Sequence, residues 1–305
     1  MYLFADDTKL FKGIYSSKDC DDLQTDIDSM LEWSEKSLMF FHPDKCGVMK
    51  IWDKNKINRE YNLGLTKLRT ITEEKDIGVI IDNSLKFESH MSTKINKANA
   101  IMGMIRRAYV YLDQESFLLL YKTLVRPHLE YANQVWAPHL KKDIVSIENV
   151  QRRATKLIPG FKDLSYQERL QKLKLPTLTY RRTRGDVIEM YKILTGKYDP
   201  LVSDFIKINT NQTRGHPYKI QKQHIKQNVR KYSFVHRCAN VWNSLPIEVV
   251  TAPNVKVFER RLDRLWIGEP VRFDFEAGVP GTTTRTVSAR TTHSSSDTEL
   301  TPEAS

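Results

Sequence analysis

The spacing of apolar residues changes near residue 87, and this change most constrains the fold. Before residue 87, short apolar runs between turn residues predict β-strands. After it, Met91, Ile95, Ala98 and Met102 recur at helical spacing, and similar stripes follow. We therefore expect an α+β fold, in which a small antiparallel sheet precedes a mostly helical region. No run of 18 apolar residues exists, so no membrane-spanning helix is predicted.

The first 86 residues predict one helix among several short strands. YLFADDTKLF at residues 2–11 predicts a strand, a tight turn and a second strand, because Asp favours turns. Apolar residues between Leu23 and Leu38 share one face of a helix predicted over residues 19–37. Further strands are predicted at residues 38–41, 48–52, 67–72 and 77–81.

The rest of the chain divides by pattern into a helical block, a loop-rich segment and a tail. Helices are predicted over residues 91–105, over 117–124 with a stop near Pro127, over 144–157 before Pro159, and over 187–194 before Gly196. Residues 200–230 predict loops, and residues 231–266 regain an apolar and aromatic pattern. Residues 267–305 contain 13 Ser and Thr but no Lys, which predicts disorder. The expected domains are 1–86, 87–199, 200–266 and the tail 267–305.

The positive charge is concentrated in the middle of the chain. The net charge is +11; residues 87–266 carry 32 basic and 15 acidic side chains, a net charge of +17, whereas the segments on either side each carry −3. Such a block is the electrostatic footprint expected of a protein that binds nucleic acid. A solvated helical surface would account for the charge about equally well.

The three cysteines and the N-terminus indicate an intracellular protein. Cys20, Cys46 and Cys238 are widely spaced and odd in number, so they predict neither a disulfide framework nor a zinc site. The first residues show no basic, apolar or cleavage segment of a secretory signal. We expect a nuclear or cytoplasmic protein that is not secreted, has no disulfide partner and binds no membrane.

Five sequence motifs, taken in order, resemble the reverse transcriptases of non-LTR (LINE-type) retrotransposons. Residues 4–11, FADDTKLF, resemble the aromatic-x-Asp-Asp hairpin of that family. The other matches are WSEK at 33–36 with PDKCGVM at 43–49, KDIGVIID at 75–82, LVRPHLEYA at 124–132 with ENVQRRA at 148–154, and WNSLP at 242–246. They resemble the palm helix and lysine-bearing strand, the primer-grip hairpin, the thumb and a C-terminal segment. The resemblance covers about residues 2–266.

The resemblance implies an RNA-directed DNA polymerase that uses two metal ions. Asp6 occupies the position of a metal-binding carboxylate, with Asp7 beside it, and Mg²⁺ is the implied ion. Lys45 occupies the position of a lysine that can protonate the pyrophosphate leaving group. Taken alone, an Asp-Asp turn is common without a metal, and a lysine after a Pro-Asp turn is often only a surface residue.

The resemblance also implies an RNA template and a DNA primer as partners. Gly78 would allow the backbone to approach the primer, although an ordinary strand or bulge glycine would look the same. Basic residues on the thumb-like helices would contact phosphates without reading sequence. The expected contacts are Arg106, Arg107, Arg152, Arg153 and Lys156, with Arg181, Arg182 and Arg184 as further candidates.

One departure from the family limits the expected activity. In the family, another metal-binding Asp and the nucleotide-binding fingers precede the Asp-Asp hairpin, whereas here only five residues precede Asp6. We therefore expect an incomplete Mg²⁺ site and no polymerase activity from these residues alone. The sequence leaves two alternatives open, which are a non-catalytic nucleic-acid-binding module and a decayed element copy without function.

Overall fold

A computed structural model describes residues 2–4, 7–51, 57, 59–209 and 215–281. The strands are β1 Tyr2–Phe4, β2 Asp7–Lys9, β3 Gly47–Val48, β4 Asn62–Leu63, β5 Thr66–Lys67, β6 Arg69–Thr70, β7 Glu73–Asp76 and β8 Val79–Asp82. The helices are α1 Ser17–Lys36, α2 Glu88–Ala108, α3 Gln114–Leu120, α4 Arg126–Glu130, α5 Asn133–Trp136, α6 Lys141–Ala154, α7 Tyr166–Leu173, α8 Leu178–Leu194, α9 Pro200–Ser203, α10 Asn228–Lys231, α11 Phe234–Asn243, α12 Ile247–Val250 and α13 Val255–Leu265. None of the helices in these ranges is both long and apolar enough to cross a membrane.

The chain divides into two compact units. Unit 1 comprises Met1–Arg182 and His224–Phe234, and unit 2 comprises Thr183–Gln223 and Val235–Ser305. The boundary predicted at residue 199 does not coincide with this division, because α8 supplies buried residues to both units. The observed mixture of helices with a few small sheets is compatible with the expected α+β class.

The strands of unit 1 form separate pairs rather than the single antiparallel sheet expected from the sequence. Three pairs are antiparallel, β1 with β2, β4 with β5 and β7 with β8, whereas β3 pairs in parallel with β6. Helix α1 packs on this region through Cys20 and Ile27, which are buried against Tyr61 and Leu63. Gln24 fastens the helix to β4, because its amide exchanges two hydrogen bonds with the backbone of Asn62, at 2.8 and 3.0 Å.

Two of the predicted strands are wrong or shorter than expected. Residues 38–41 form no strand; Leu38 has a left-handed backbone with φ of 56°, and Phe40 is 72% exposed. The strand predicted at residues 48–52 reduces to β3, and Trp52 lies outside the described residues. An apolar run becomes a strand only where another backbone pairs with it, and a two-residue partner, β6, is all that residues 47–48 receive.

The helical part of unit 1 is centred on α2. Its buried stripe, which includes Met91, Ala98 and Ile105, packs against α4 and α6 as the periodicity predicts. The helix that was expected to stop near Pro127 instead continues to Glu130 through a π-helical turn at Tyr121–Val125. The wider turn shifts the hydrogen-bond pattern just before the proline, which lacks an N–H and would clash with a regular α-helical turn.

Unit 2 has its own core of aromatic residues. Tyr191 of α8 stacks on Phe258 of α13, with the ring centroids 4.2 Å apart, and its hydroxyl donates to the Ala252 carbonyl at 2.6 Å. Order continues beyond residue 266, where the predicted tail begins, because Val271 lies in a 3₁₀ turn and is fully buried. The tail predicted from residue 267 is therefore wrong for its first residues, and residues 282–305 lie outside the described ranges. A few isolated apolar residues in a polar stretch carry no periodic signal, which explains the error.

Candidate nucleic-acid interface

The Asp-Asp hairpin forms as the sequence predicts, but only part of its tip is described. Phe4 of β1 pairs with Asp7 of β2, and Asp7 is exposed, whereas Asp6 lies outside the described residues. Lys9 of β2 forms an ion pair with Asp76 of β7, which links this hairpin to β7–β8. Within the described ranges, no group of three or more His, Cys, Asp or Glu side chains is placed to hold a metal ion. The residues described thus do not by themselves form the implied Mg²⁺ site.

Lys45 lies on an exposed turn away from any described carboxylate partner. It ends a short 3₁₀ helix, Pro43–Lys45, which includes the Pro-Asp turn. No hydrogen bond or ion pair of the described residues joins Lys45 to Asp7. The structure therefore leaves the role of this lysine in leaving-group protonation as a prediction.

The β7–β8 hairpin turns at Ile77 and Gly78, both of which have positive φ. The values, 43° and 78°, fit a two-residue type I′ turn, whose twist matches that of antiparallel strands. The tip rests on Tyr131, whose hydroxyl donates to the Ile77 carbonyl at 2.9 Å. A Cβ on Gly78 would lie 3.4 Å from the Tyr131 ring. Local geometry thus accounts for the glycine, and its contact with nucleic acid stays a prediction.

His90 connects this hairpin to α2. Its ring is fully buried, and its Nδ1 accepts a hydrogen bond from the backbone N–H of Ile80 at 3.1 Å. Burial, assisted by the positive charge of Lys94, lowers the pKa of His90 to about 4. The histidine is therefore neutral at physiological pH, and its burial and hydrogen bond indicate a structural role.

Some of the predicted phosphate-binding side chains are exposed, whereas others are held by contacts within the protein. Arg106 and Arg107 lie in the last turn of α2, Arg153 lies in the last turn of α6 and Lys156 follows that helix; all four are exposed. Arg153 also donates to its own helix, at the Asn149 carbonyl. Cations in the last turn of a helix also interact favourably with the helix dipole. Exposure alone therefore does not show that these side chains bind a ligand.

Four other arginines on these helices are held by protein groups. Arg152 is half-buried, with its guanidinium carbon 5.1 Å from the centre of the Tyr166 ring. Arg181 makes a two-point ion pair with Glu130, and Arg182 is 7% exposed. Arg184 binds both carboxylate oxygens of Asp263, at 2.6 and 2.9 Å. These contacts indicate a structural role, which the sequence alone did not separate from phosphate binding.

Within the ENVQRRA segment, the acid and the amide form a buried network that sequence reasoning missed. Glu148 accepts hydrogen bonds from the Tyr166 hydroxyl at 2.6 Å and from the Leu178 N–H at 3.0 Å. Gln151 accepts from the Tyr121 hydroxyl at 2.7 Å and donates to the carbonyl of Pro176. Burial raises the pKa of the Glu148 carboxyl, and the Tyr166 hydrogen bond opposes that shift. The network fixes the start of α8 to α6.

Comparisons with known proteins give one informative similarity. The chain is 26% identical over 165 residues to an RNA-directed DNA polymerase from the mobile element jockey of Drosophila funebris, which covers 52% of this chain and 18% of that protein. It is 22% identical over 126 residues to an uncharacterized protein of Caenorhabditis elegans, which covers 40% of this chain and 64% of that protein. The chain thus spans less than two thirds of either relative. No protein-family model matches it, and no solved structure matches it significantly. The similarity supports a relation to reverse transcriptases.

Proposed function

We propose that this chain is the C-terminal part of a non-LTR retrotransposon reverse transcriptase and that unit 1 binds the backbones of an RNA template and a DNA primer. The observation that carries the proposal is the set of exposed cations at the ends of α2 and α6. These cations lie in the segment whose motifs resemble a polymerase thumb, and the similarity to the jockey polymerase supports the same class. Nuclear or cytoplasmic localisation accompanies this function.

The same four cations define the mode of binding. Arg106, Arg107, Arg153 and Lys156 form no ion pair with a carboxylate among the described residues, so their charges are available to phosphates. Such contacts attract any nucleic acid and release counterions, which makes the affinity depend steeply on salt. We expect little sequence preference, because phosphate contacts carry no direct sequence information.

The proposal assigns catalysis to a fuller assembly than this chain alone. Asp6 and Asp7 would contribute carboxylates to a Mg²⁺ site, and Lys45 would act near the leaving group. Asp7 is exposed, and within the described ranges no group of three or more His, Cys, Asp or Glu side chains is placed to hold a metal ion. We therefore propose that the isolated chain binds nucleic acid without extending a primer.

The binding proposal is tested by the salt dependence of affinity. Fluorescence anisotropy with a labelled RNA–DNA duplex would compare the whole chain with two double variants, Arg106→Ala with Arg107→Ala, and Arg153→Ala with Lys156→Ala. Each double variant is expected to reduce the slope of log affinity against log salt by roughly 1.8, at about 0.9 per lost contact. A control of equal charge change, Lys18→Ala with Lys36→Ala on α1, is expected to leave the slope unchanged. Binding without a salt slope would contradict the proposal.

The catalytic part is tested by primer extension with Mg²⁺ and deoxynucleotides. The purified chain is expected to give no product. Product that disappears in Asp6→Ala would contradict the proposed inactivity and would assign Asp6 the metal-binding role.

A further inference from the structure

Lys94 is a partly buried lysine that makes no ion pair among the described residues. Its ammonium nitrogen lies 5.8 Å from the centre of the Tyr131 ring. In addition to burial, Lys75 lowers the pKa of Lys94, and Lys94 in turn lowers the pKa values of His90 and His128. Burial and the positive charge of Lys75 lower the pKa of Lys94, so the folded chain disfavours the charge that this side chain carries.

Three elements bring these cations together. Lys75 on β7 pairs across the hairpin with Ile80, and Ile80 donates to His90 of α2 at 3.1 Å. Lys94 follows His90 by four residues, and Lys97 follows Lys94 by three, so both share a face of α2 with His90. Helix α4 packs on α2 and contributes His128, whose pKa is lowered by burial and by Lys94 and Lys97. We call Lys75, Lys94, Lys97 and His128 the α2 cationic cluster.

Two carboxylates close in sequence to members of this cluster are engaged by other cations. Asp76, next to Lys75, pairs with Lys9. Glu130, which precedes Tyr131, pairs with Arg181 and lies 3.6 Å from the Nε of Arg126. The charge of the cluster is therefore not neutralised by these neighbours. Like charges held together by a fold repel one another, and a bound anion would relieve this repulsion.

We propose that the α2 cationic cluster is a binding site for a phosphate group. Lysine suits this ligand, because its ammonium is a compact charge with three donors that can turn toward phosphate oxygens. A protonated His128 would add a further donor. The phosphate can belong to a nucleic-acid strand or to a free diphosphate. The first source rests on the proposed function and gives it a specific contact point beside the β7–β8 hairpin, whereas the second is independent of it.

The test combines binding with a direct reading of His128 by NMR. The variant Lys94→Met with Lys97→Met removes two charges and keeps the length of the side chains, and Lys18→Met with Lys36→Met is the control. In the ligand-free chain, the first variant is expected to raise the pKa of His128, because two like charges are gone. The control is expected to leave this pKa unchanged.

Addition of a short single-stranded oligonucleotide or of pyrophosphate is expected to raise the pKa of His128 in the wild-type chain. The Lys94→Met, Lys97→Met variant is expected to lose this response and to reduce the salt slope for the oligonucleotide by about 1.4, at about 0.7 per lost contact. A response to the oligonucleotide alone assigns a strand phosphate, and a response to pyrophosphate alone assigns a free diphosphate.

The phosphate site is overturned if the Lys94→Met, Lys97→Met variant binds both ligands as the control does. Failure of the phosphate-site proposal can be distinguished from failure of the proposed function. Duplex binding that depends on Arg106 and Arg107 but not on Lys94 would remove the site alone. A pyrophosphate response in a chain that binds no duplex would keep the site and remove the proposed function. Equal thermal midpoints of the two variants would show that lost binding is not lost folding.

Discussion

The strand region and the helical region of unit 1 differ in how completely they bury their large side chains. In residues 2–82, Tyr2 and Phe40 are 64% and 72% exposed, whereas in residues 88–181, Phe117 and Trp136 are each 2% exposed. A helix forms its hydrogen bonds within itself and needs only a surface to pack on. A strand needs a partner for its backbone as well, and pairs of two to four residues cover little apolar area. The difference indicates that the helical region carries most of the stability.

The comparison predicts its largest effect for the same substitution made in both regions. Phe117→Ala is expected to lower the free energy of unfolding by about 3–5 kcal/mol, because it leaves a cavity in a packed core. Phe4→Ala is expected to change it by less than about 0.5 kcal/mol, because Phe4 is 57% exposed. Urea denaturation measures both. A comparable loss in the two variants would refute the proposed difference between the regions.

A second prediction concerns the contact between the two regions at His90. The pKa of His90 is about 4 in the folded chain, whereas the ordinary pKa of a histidine side chain is about 6.5. Between these values the unfolded chain binds a proton that the folded chain does not, so stability is expected to fall as the pH drops from 6.5 to 4. The loss is at most about 3 kcal/mol. Denaturation at several pH values should show this slope.

The variant His90→Asn is the matched control for the pH effect. Asparagine can place an amide oxygen near the position of Nδ1 and accept from Ile80, but it does not titrate. We expect the variant to be less stable at pH 7 and to have a flatter pH dependence between 6.5 and 4. An unchanged slope would assign the acid sensitivity to another group.

A third prediction tests the buried network of the helical region. Glu148→Gln replaces one of two carboxylate oxygens, each of which accepts a hydrogen bond, with an amide that donates. The free energy of unfolding is expected to fall by about 2 kcal/mol, because the buried amide donor of the new glutamine then faces another hydrogen-bond donor. Glu32→Gln on α1, which alters only an exposed ion pair with Lys36, is the control, and its urea midpoint should not move. Equal midpoints for both variants would show that the network contributes nothing.

The smallest predicted effects differ in sign between the regions. Gly78→Ala is expected to destabilise the chain by about 1 kcal/mol, because φ is 78° at this turn. Gly103→Ala, in the middle of α2, is expected to stabilise it by about 0.5–1 kcal/mol, since a Cβ there meets only the flexible end of Arg107 at 3.5 Å. Thermal melting of both variants checks the two signs. Stabilisation by Gly78→Ala would contradict the described turn.

Much of the fold follows from local sequence, whereas most of the candidate interface does not. The stripe from Met91 to Ile105 depends on residues a few positions apart, and it is found where expected. The turn at Ile77 and Gly78 is also local, but the apolar pattern predicted a strand over residues 77–81 there. Leu38–Phe41 carried an equally apolar signal and formed no strand, because no backbone pairs with it. The continuation through Pro127 likewise depends on a π turn that no apolar pattern indicates.

Sequence patterns alone predict the order of hairpins and helices, the basic block and the motifs that resemble a reverse transcriptase. Which cations are available to a ligand depends on how distant elements pack. Arg181 meets Glu130 across 51 residues and Arg184 meets Asp263 across 79, whereas Arg106 and Arg107 keep exposed side chains. The tertiary structure also places Lys75 and His128 around Lys94. Backbone hydrogen bonds and turn angles depend on neighbours in sequence, but the partner of a charge depends on which distant elements pack together.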